Sequence, residues 1–298
     1  MKKRVAILTG GTSSEREIAL ESAEGLRSAL GDRFDVSQFV LPEDMDRFLS
    51  EHRSVDAVVP VFHGHGGEDG AIQGFLRTLD VPFVFSDIEA HATAFNKPLA
   101  KTVVTQAGVR TPKGKVIFDK VGIVYRNPVV VKPVDSGSSI GVSIVKNAAD
   151  LDNALDIAFK ESSSVLIEDF IEGDEYTVAV IETESGVSAL PVIAIKPKTE
   201  FFDLKSKYDP SLCDEICPAP ISDSLATELK TAALAAHCSI GARHISRSDF
   251  IADKDGKVWF LEINTIPGMT ANSLVPKALT VADIDFGDLL ALWIHSLI

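Results

Sequence analysis

The stretch from Lys257 to Leu274, KVWFLEINTIPGMTANSL, constrains this chain more than any other. An apolar run, Val258 to Leu261, leads to Glu262 and Asn264, which stand two residues apart. Alternate residues of a strand share a face, so these two polar side chains should project together from the end of a buried strand. Upstream lies Arg247-Ser248-Asp249-Phe250-Ile251, and between the two runs comes Asp253-Lys254-Asp255-Gly256. An Asp-Gly pair between apolar runs is the strongest short hairpin signal. With Asp255-Gly256 as a two-residue loop, Lys254 faces Lys257, Asp249 faces Glu262 and Arg247 faces Asn264.

Two carboxylates directly across a ladder repel one another, so a positive group is expected between them. Carboxylates with a carboxamide offer only oxygen ligands, which suits Mg²⁺ or Mn²⁺ rather than zinc. The competing reading of the same residues is a plain surface hairpin in which Arg247 neutralises Asp249. The hairpin alone does not choose between them.

Composition narrows the classes. A chain of 298 residues, 45% hydrophobic, is long enough for about two domains with real cores, or three small ones. A formal net charge of −14 disfavours a nucleic-acid partner. An anionic nucleotide would need local basic groups and backbone N–H groups. Three cysteines, Cys213, Cys217 and Cys238, without a C-x-x-C pair fit a reducing cytosol, not a disulfide framework or a zinc site. The start, MKKRVAILTGG, has an apolar run too short for the core of a signal peptide and is expected to be a buried first strand. No run approaches the roughly 18 apolar residues of a membrane span, so no membrane partner is expected.

Val5 to Leu8 reads as that strand. The loop Gly10 to Glu15 follows, and then a helix with Ile18, Ala19, Ser22, Ala23 and Leu26 on one face, the opening unit of an α/β sheet. The glycine spacing is neither G-x-G-x-x-G nor a P-loop, which disfavours a Rossmann oxidoreductase. Glu15 falls at the loop-to-helix junction, where an acid is favoured by the helix dipole whatever else it does. Further strands are expected at Phe34–Leu41, Ala57–Phe62 and Pro82–Phe85, with a helix from Ala71 to Leu79. His63-Gly64-His65-Gly66-Gly67-Glu68-Asp69-Gly70 marks a loop of close backbone approach. His63, His65 and Glu68 have no further His or Cys at ligand spacing, so a ligand-contacting or structural loop is preferred to a metal site.

A helix is expected over His91–Ala107. Strand-like runs then dominate, at Lys115–Phe118, Pro128–Val131, Val142–Val145, Val165–Glu168 and Tyr176–Ile181. The segment Lys132 to Gly141 joins strand to strand. It is either a Gly/Ser flap that folds over phosphates with Lys132 or an ordinary exposed hairpin loop. Glu168 to Glu175 reads as an interdomain link beside a cleft or as a solvated linker. A strand is expected at Leu190–Ile195 and a long irregular stretch at Thr199–Pro220. The aromatics of that stretch, Phe201, Phe202 and Tyr208, fit an ordered closing loop. Helices are expected at Ser224–Cys238 and Leu289–Leu297.

Taken in order, GGTSSERE, HGHGGEDG, Asn96-Lys97, VKPVDSGSSIGVS, IEDFIEGDEYTV, KSKYDP and RSDFIADKDGKVWFLEINTIPGMTANSLVP resemble the motifs of the ATP-grasp superfamily. Within it they resemble the D-alanine–D-alanine ligases of bacterial cell-wall synthesis. The likeness covers nearly the whole chain, and its last motif is highly specific. It implies an α/β chain with the three-domain ATP-grasp fold (α+β in the ATP-grasp domains). A Rossmann-like parallel-sheet domain at 1–95 would carry the first D-alanine site and a dimer contact. A central subdomain at 96–171 would carry the flap, and a C-terminal subdomain at 172–298 the hairpin and the closing loop. The resemblance further implies a cytoplasmic homodimer that uses ATP, D-alanine and two Mg²⁺ ions, with Mn²⁺ as a substitute.

By the same resemblance, Lys97 and Lys132 hold ATP phosphates beneath the flap at Ser136–Gly141. Glu168 meets the adenine amino group with Asp169, Phe170 and Ile171 beside it, Glu175 binds the ribose, and Lys207 reaches the terminal phosphate. Asp249, Glu262 and Asn264 hold the metals. Glu15 pairs with the ammonium of the first D-alanine and joins Ser138 and Tyr208 in a hydrogen-bonded clasp, and His63 lines that site. A D-alanine carboxylate attacks the γ-phosphate, and the second amine attacks the acyl phosphate so formed. Arg247 and the Gly268 N–H receive the oxyanion, while Ser273 and Leu274 bind the second substrate. Departures from the commonest family pattern fall at Asp87, Asn96 and Asp169. Tyr208 points to an amine acceptor. The alternatives are a related ligase with D-serine or D-lactate at the second site and, from another class, a degenerate nucleotide-binding regulator. The intact set Lys97, Lys132, Arg247, Asp249, Glu262 and Asn264 speaks against the regulator.

Overall fold

A computed structural model describes residues 2–198, 213–270 and 272–298. The expected first strand is β1 (Arg4–Gly10), in which Val5 to Leu8 are fully buried. It lies at the centre of a parallel sheet ordered β2–β1–β3, with β2 at Asp35–Leu41 and β3 at Ala57–Pro60. A central parallel strand is covered on both faces and therefore reads as an unbroken apolar run. One face packs on α1 (Arg16–Leu30), and the other on α2 (Met45–Glu51) and α3 (Ala71–Thr78) around Leu8, Phe39, Phe48 and Leu76. The strand expected at Pro82–Phe85 is reduced to an isolated bridge between Val58 and Phe83.

The helix expected over His91–Ala107 is two helices, α4 (Ile88–Phe95) and α5 (Lys97–Gln106). Asn96 between them is extended, and its side chain caps α5 by accepting from Leu99 N at 3.1 Å. Pro98 stands in the first turn of α5, where its missing N–H leaves no bond unmade.

From Gly114 onward the chain builds a four-stranded antiparallel sheet ordered β4–β7–β5–β6. Its strands are β4 (Gly114–Ile117), β5 (Val129–Pro133), β6 (Ser143–Val145) and β7 (Val165–Asp169). A helix absent from the expectations, α6 (Leu151–Glu161), covers one face with Leu151, Ala154, Leu155 and Ala158. The link after Asp169 passes to β8 (Gly173–Thr183) in a second antiparallel sheet. That sheet runs β11–β10–β8–β12–β13, with β9 (Gly186–Ala189) also on β8. Its other strands are β10 (Ile193–Pro197), β11 (Cys213–Ile216), β12 (Ile245–Asp253) and β13 (Val258–Asn264). The strand β11 falls in the stretch expected to be irregular, and it exists because β10 supplies a free edge.

Helix α7 (Asp223–Ile240) lays Leu229, Ala233 and Ala236 on this sheet beside α4 and α5. Two C-terminal helices, α8 (Leu274–Val281), which was not expected, and α9 (Phe286–His295), share a core with α1 and the parallel sheet through Leu26, Leu279, Leu290 and Trp293. Trp293 Nε1 donates to Glu182 O at 2.9 Å, which ties α9 to β8. No helix among the described residues is long and apolar enough to cross a membrane.

Candidate active site

The hairpin of β12 and β13 pairs at the site as the sequence predicts, Arg247 with Asn264 and Asp249 with Glu262. The turn that produces this differs from the expected one. Gly256 N donates to Asp253 O at 2.8 Å, and Asp253 N donates to Lys257 O at 3.0 Å. The loop is therefore three residues, Lys254 to Gly256, closed by Gly256 at φ +77°, a left-handed conformation that glycine adopts freely. This loop shifts the ladder by one, so that Phe250 pairs with Phe260 and Ala252 with Val258. An unpaired residue, Leu261, then forms a bulge opposite Asp249 and Phe250 and restores the register. Val258 and Phe260 are buried in the core beneath α7, whereas Leu261 and Glu262 both line the cleft. A bulge breaks the two-residue alternation. Without it Glu262 would follow Phe260 into the core.

On the cleft face Arg247 grips Asp249 with two bonds, Nε to Oδ1 at 3.1 Å and Nη2 to Oδ2 at 3.0 Å. Thr177 on β8 donates to Oδ1 at 2.6 Å. The Asp–Arg pair of the surface-hairpin reading thus exists, but away from the surface, with the two side chains 15% and 13% exposed. Burial disfavours the guanidinium charge, yet Asp249 outweighs it and holds Arg247 above its ordinary pKa. A carboxylate offers about four lone-pair sites, so three donors leave Asp249 one to share. Glu262 Oε2 lies 3.7 Å from Lys97 Nζ, and Asn264 Oδ1 accepts from Ile266 N at 2.9 Å. Among the described residues no three His, Cys, Asp or Glu side chains converge on a point. The oxygen donors of Asp249 and Glu262 still fit Mg²⁺, which typically takes one or two carboxylates and completes its shell with water and substrate phosphates.

Two adjoining cavities meet at this hairpin. The larger, about 1060 Å³, is lined by Glu15, His63, Ser138 and Arg247, with Asn264, Gly268, Ser273 and Leu274 on its other walls. The smaller, about 140 Å³, is a slot between the two antiparallel sheets. Lys132, Glu168, Asp169, Phe170 and Ile171 line it on one side and Ile251 and Leu261 on the other. Lys97, Glu175, Asp249 and Glu262 line both cavities. Lys207 and Tyr208 lie outside the described residues.

The segment between β5 and β6 is folded over the site. Ser138 Oγ donates to Glu15 Oε1, and Lys97 Nζ donates to Ser136 O. Ser138 and Ser139 sit at φ +47° and +59°, sparsely populated values for residues with a side chain. A Cβ at Gly137 would stand 2.7 Å from Glu15 Oε2, so a side chain there would push that carboxylate aside. Of the two readings of this loop, flap and exposed hairpin, the contacts match the flap.

The His/Gly loop contributes separately. His63 Nε2 bonds Ser22 Oγ at 3.2 Å, while burial first and the charge of Arg247 second pull its pKa down to about 4. His65 is an exposed partner of Asp69. Glu68 Oε2 accepts from Gly64 N at 2.8 Å and lines the larger cavity. Burial and then the nearby Glu15 push Glu68 up to about 8. As a cavity wall Glu68 fits the ligand-contacting loop expected of this motif, although nothing in the sequence singles out Glu68 for that role.

Lys101, outside every motif, also belongs to the site. Lys132 Nζ pairs with Glu168 Oε1, and Lys101 Nζ lies 3.0 Å from Glu168 Oε2. The available signal was spacing, since Lys101 follows Lys97 by one helical turn on the buried stripe Lys97, Ala100, Lys101 and Val104 of α5.

Two antiparallel sheets that close on a lysine-lined slot, beside a parallel-sheet unit that contributes Glu15, define the ATP-grasp class. The family model described as D-ala D-ala ligase C-terminus matches residues 96–295, and that described as D-ala D-ala ligase N-terminus matches residues 40–86. The D-alanine–D-alanine ligase of Syntrophobacter fumaroxidans is 38% identical over 303 residues, spanning 97% of this chain and 96% of the relative. Among solved structures, the D-alanine–D-alanine ligase of Bacillus anthracis complexed with ATP has a TM-score of 0.84 at 28% identity and covers 98% of this chain and 96% of that one. The VanG D-Ala:D-Ser ligase of Enterococcus faecalis also has a TM-score of 0.84, at 26% identity over 100% of both chains. The chain belongs to the D-alanine–D-alanine ligase family.

Proposed function

We propose that this protein joins two D-alanines into D-alanyl-D-alanine, with ATP converted to ADP and phosphate, as a cytoplasmic step of peptidoglycan precursor synthesis. The observation that carries this reading is the shared wall of the two cavities, where Lys97, Asp249 and Glu262 stand between a chamber lined by Glu15 and His63 and a slot lined by Lys132 and Glu168.

In the chamber Glu15 meets the ammonium of the first D-alanine and His63 lines its side. In the slot Glu168 faces the adenine amino group beside Asp169, Phe170 and Ile171, and Glu175 takes the ribose. Lys97, Lys132 and Lys207 hold the phosphates. The D-alanine carboxylate attacks the γ-phosphate and becomes an acyl phosphate. That step needs positioning and charge neutralisation and no enzyme nucleophile. Asp249, Glu262 and Asn264 would hold two Mg²⁺ ions, or Mn²⁺ with the same ligand preference, which when bound neutralise phosphate charge. The second D-alanine, held by Ser273 and Leu274, attacks the acyl carbon with its amine. Arg247 and the Gly268 N–H receive the oxyanion. Arg247 can serve there while gripping Asp249, because its Nε and Nη2 make that grip and Nη1 is the remaining arm of the fork. The Ser138–Glu15 clasp, with Tyr208 as its third member, keeps water from the acyl phosphate.

We read the chain as three units along 1–95, 96–171 and 172–298, with a homodimer formed through the first. Helix α5 is the piece shared between units, since it carries Lys97 to the flap yet packs with α4 and α7 on the six-stranded sheet.

A coupled ADP-release assay run in parallel with D-alanine, D-serine and D-lactate tests this reading. D-alanine alone is expected to drive release. Release that needs D-serine alongside D-alanine would reassign the second site, the reading that the likeness to a D-Ala:D-Ser ligase keeps open.

A further inference from the structure

Glu168 has more cationic partners than it needs. Lys132 contacts one carboxylate oxygen and Lys101 the other, and the side chains are buried, with Lys132 at 7%, Lys101 at 8% and Glu168 at 2% exposure. The cluster holds one positive charge in excess, and an unmatched buried charge is expensive unless an anion joins it. Lys132 and Glu168 line the slot, and Lys101 does not. Lys101 approaches Glu168 from α5, and its Nζ also donates to Phe260 O at 3.3 Å, immediately before the bulge at Leu261. Burial disfavours the carboxylate of Glu168, but Lys132 and Lys101 together outweigh it and hold its pKa below the ordinary range. The two lysines are not equivalent. Lys132 can turn to a phosphate in the slot, whereas Lys101 lies outside the slot lining and among the described residues contacts Glu168 and the Phe260 carbonyl.

We infer that Lys101 is a positioning residue for the nucleotide, holding Glu168 charged and in place when Lys132 leaves it for the phosphates. The inference rests on the nucleotide assignment of the slot made above. Without Lys101, Lys132 is the one cationic partner left to the buried carboxylate among the described residues, and phosphate must compete with that carboxylate for it. Glu168 is then also free to turn away from the base. Both the affinity for ATP and the preference for adenine over guanine depend on Lys101. A purely structural ion pair would lower thermal stability and leave both quantities unchanged.

The test is calorimetric binding of ATP and of GTP, without any amino acid, to the full-length wild type, Lys101→Met, Glu168→Gln and the double variant. Lys101→Met is expected to weaken ATP binding about 10-fold or more and to narrow the ATP-to-GTP ratio, while in the Glu168→Gln background the same change costs about 2-fold or less, since coupled neighbours are non-additive. ATP affinity and selectivity unchanged in Lys101→Met, or the same loss in both backgrounds, overturns the inference. Should Lys101→Met not fold, Lys101→Gln, whose amide can still donate to Phe260 O, gives the same cycle. Wild-type protein that binds ATP yet releases no ADP with D-alanine would count against the ligase reading alone, because the binding cycle uses no amino acid.

Discussion

Leu261 and Glu262 are consecutive on one strand, and both face the cleft. Glu262 stands opposite Asp249 on the cleft side only because Leu261 is left unpaired in the ladder. The carboxylate is therefore aimed by a backbone irregularity, in keeping with the tendency of bulges to re-aim side chains beside active sites. If Glu262 works on phosphate charge, Glu262→Gln keeps the strand and removes the charge. D-alanine-dependent ADP release should fall about 100-fold or more, in line with the several kcal/mol that charge stabilisation supplies, with the circular dichroism spectrum unchanged. A Glu262→Gln protein with normal turnover and normal Mg²⁺ dependence would refute the metal assignment.

The clasp between Ser138 and Glu15 joins the flap to the parallel-sheet unit. Ser138→Ala removes a hydrogen bond to a charged group, worth about 1.5–3 kcal/mol, so kcat/KM for D-alanine should drop roughly 10- to 100-fold on the same grounds. Gly137→Ala should do at least as much harm, because its new methyl meets the Glu15 carboxylate. In both variants the ratio of phosphate released to dipeptide formed should rise above unity as water enters. A ratio that stays at unity would mean that the flap does not shield the intermediate.

Glu68 gives a pH signature. Its folded pKa, about 8, lies above the ordinary 4.5, so the folded protein keeps a proton that the unfolded chain has lost. Such a group contributes stability below its unfolded pKa, and that contribution is lost as pH rises through the folded value. Glu68→Gln cannot ionise. The Tm of Glu68→Gln minus that of the wild type should therefore increase between pH 5 and pH 8, the window bounded by those pKa values. A difference that is flat across this window would place the Glu68 proton elsewhere.

The hairpin loop can be tested away from the chemistry. Gly256 is left-handed and Asp255 is not. Gly256→Ala should lower stability by about 1 kcal/mol, measured by urea denaturation, with ADP release unaffected. Asp255→Gly should also destabilise, whereas in a two-residue loop with both residues left-handed it would stabilise.

The pairing of Asp249 with Glu262 was legible in the sequence, but through two departures that cancel. Asp255-Gly256 signals a hairpin without specifying whether two residues or three form the loop, and nothing in Phe260-Leu261-Glu262 announces a bulge. The parallel sheet was legible because a doubly buried strand must be continuously apolar. Helix α8 was not, because Pro276 in its first turn reads as a breaker although a first-turn proline suits a helix. Helix α6 carries the spacing Leu151, Ala154, Leu155 and Ala158 of an amphipathic helix, but half of that stripe is alanine and stands out weakly among strong strand runs. In the site, the described candidate residues inside the motifs line one or the other cavity, and Glu68, also inside a motif, joins them as a wall that its sequence did not single out. Lys101 was not legible, because a lysine is exposed by default, and its burial depends on Glu168, far away in the chain.

The central claim is that ATP activates a D-alanine carboxylate for capture by a second D-alanine. Its most direct test uses D-alanine labelled with heavy oxygen in the carboxylate, with mass spectrometry of the inorganic phosphate and of the dipeptide. An acyl-phosphate route predicts one heavy oxygen in each phosphate released and one fewer in the new peptide bond. Phosphate without label, formed alongside dipeptide or in its absence, would contradict it.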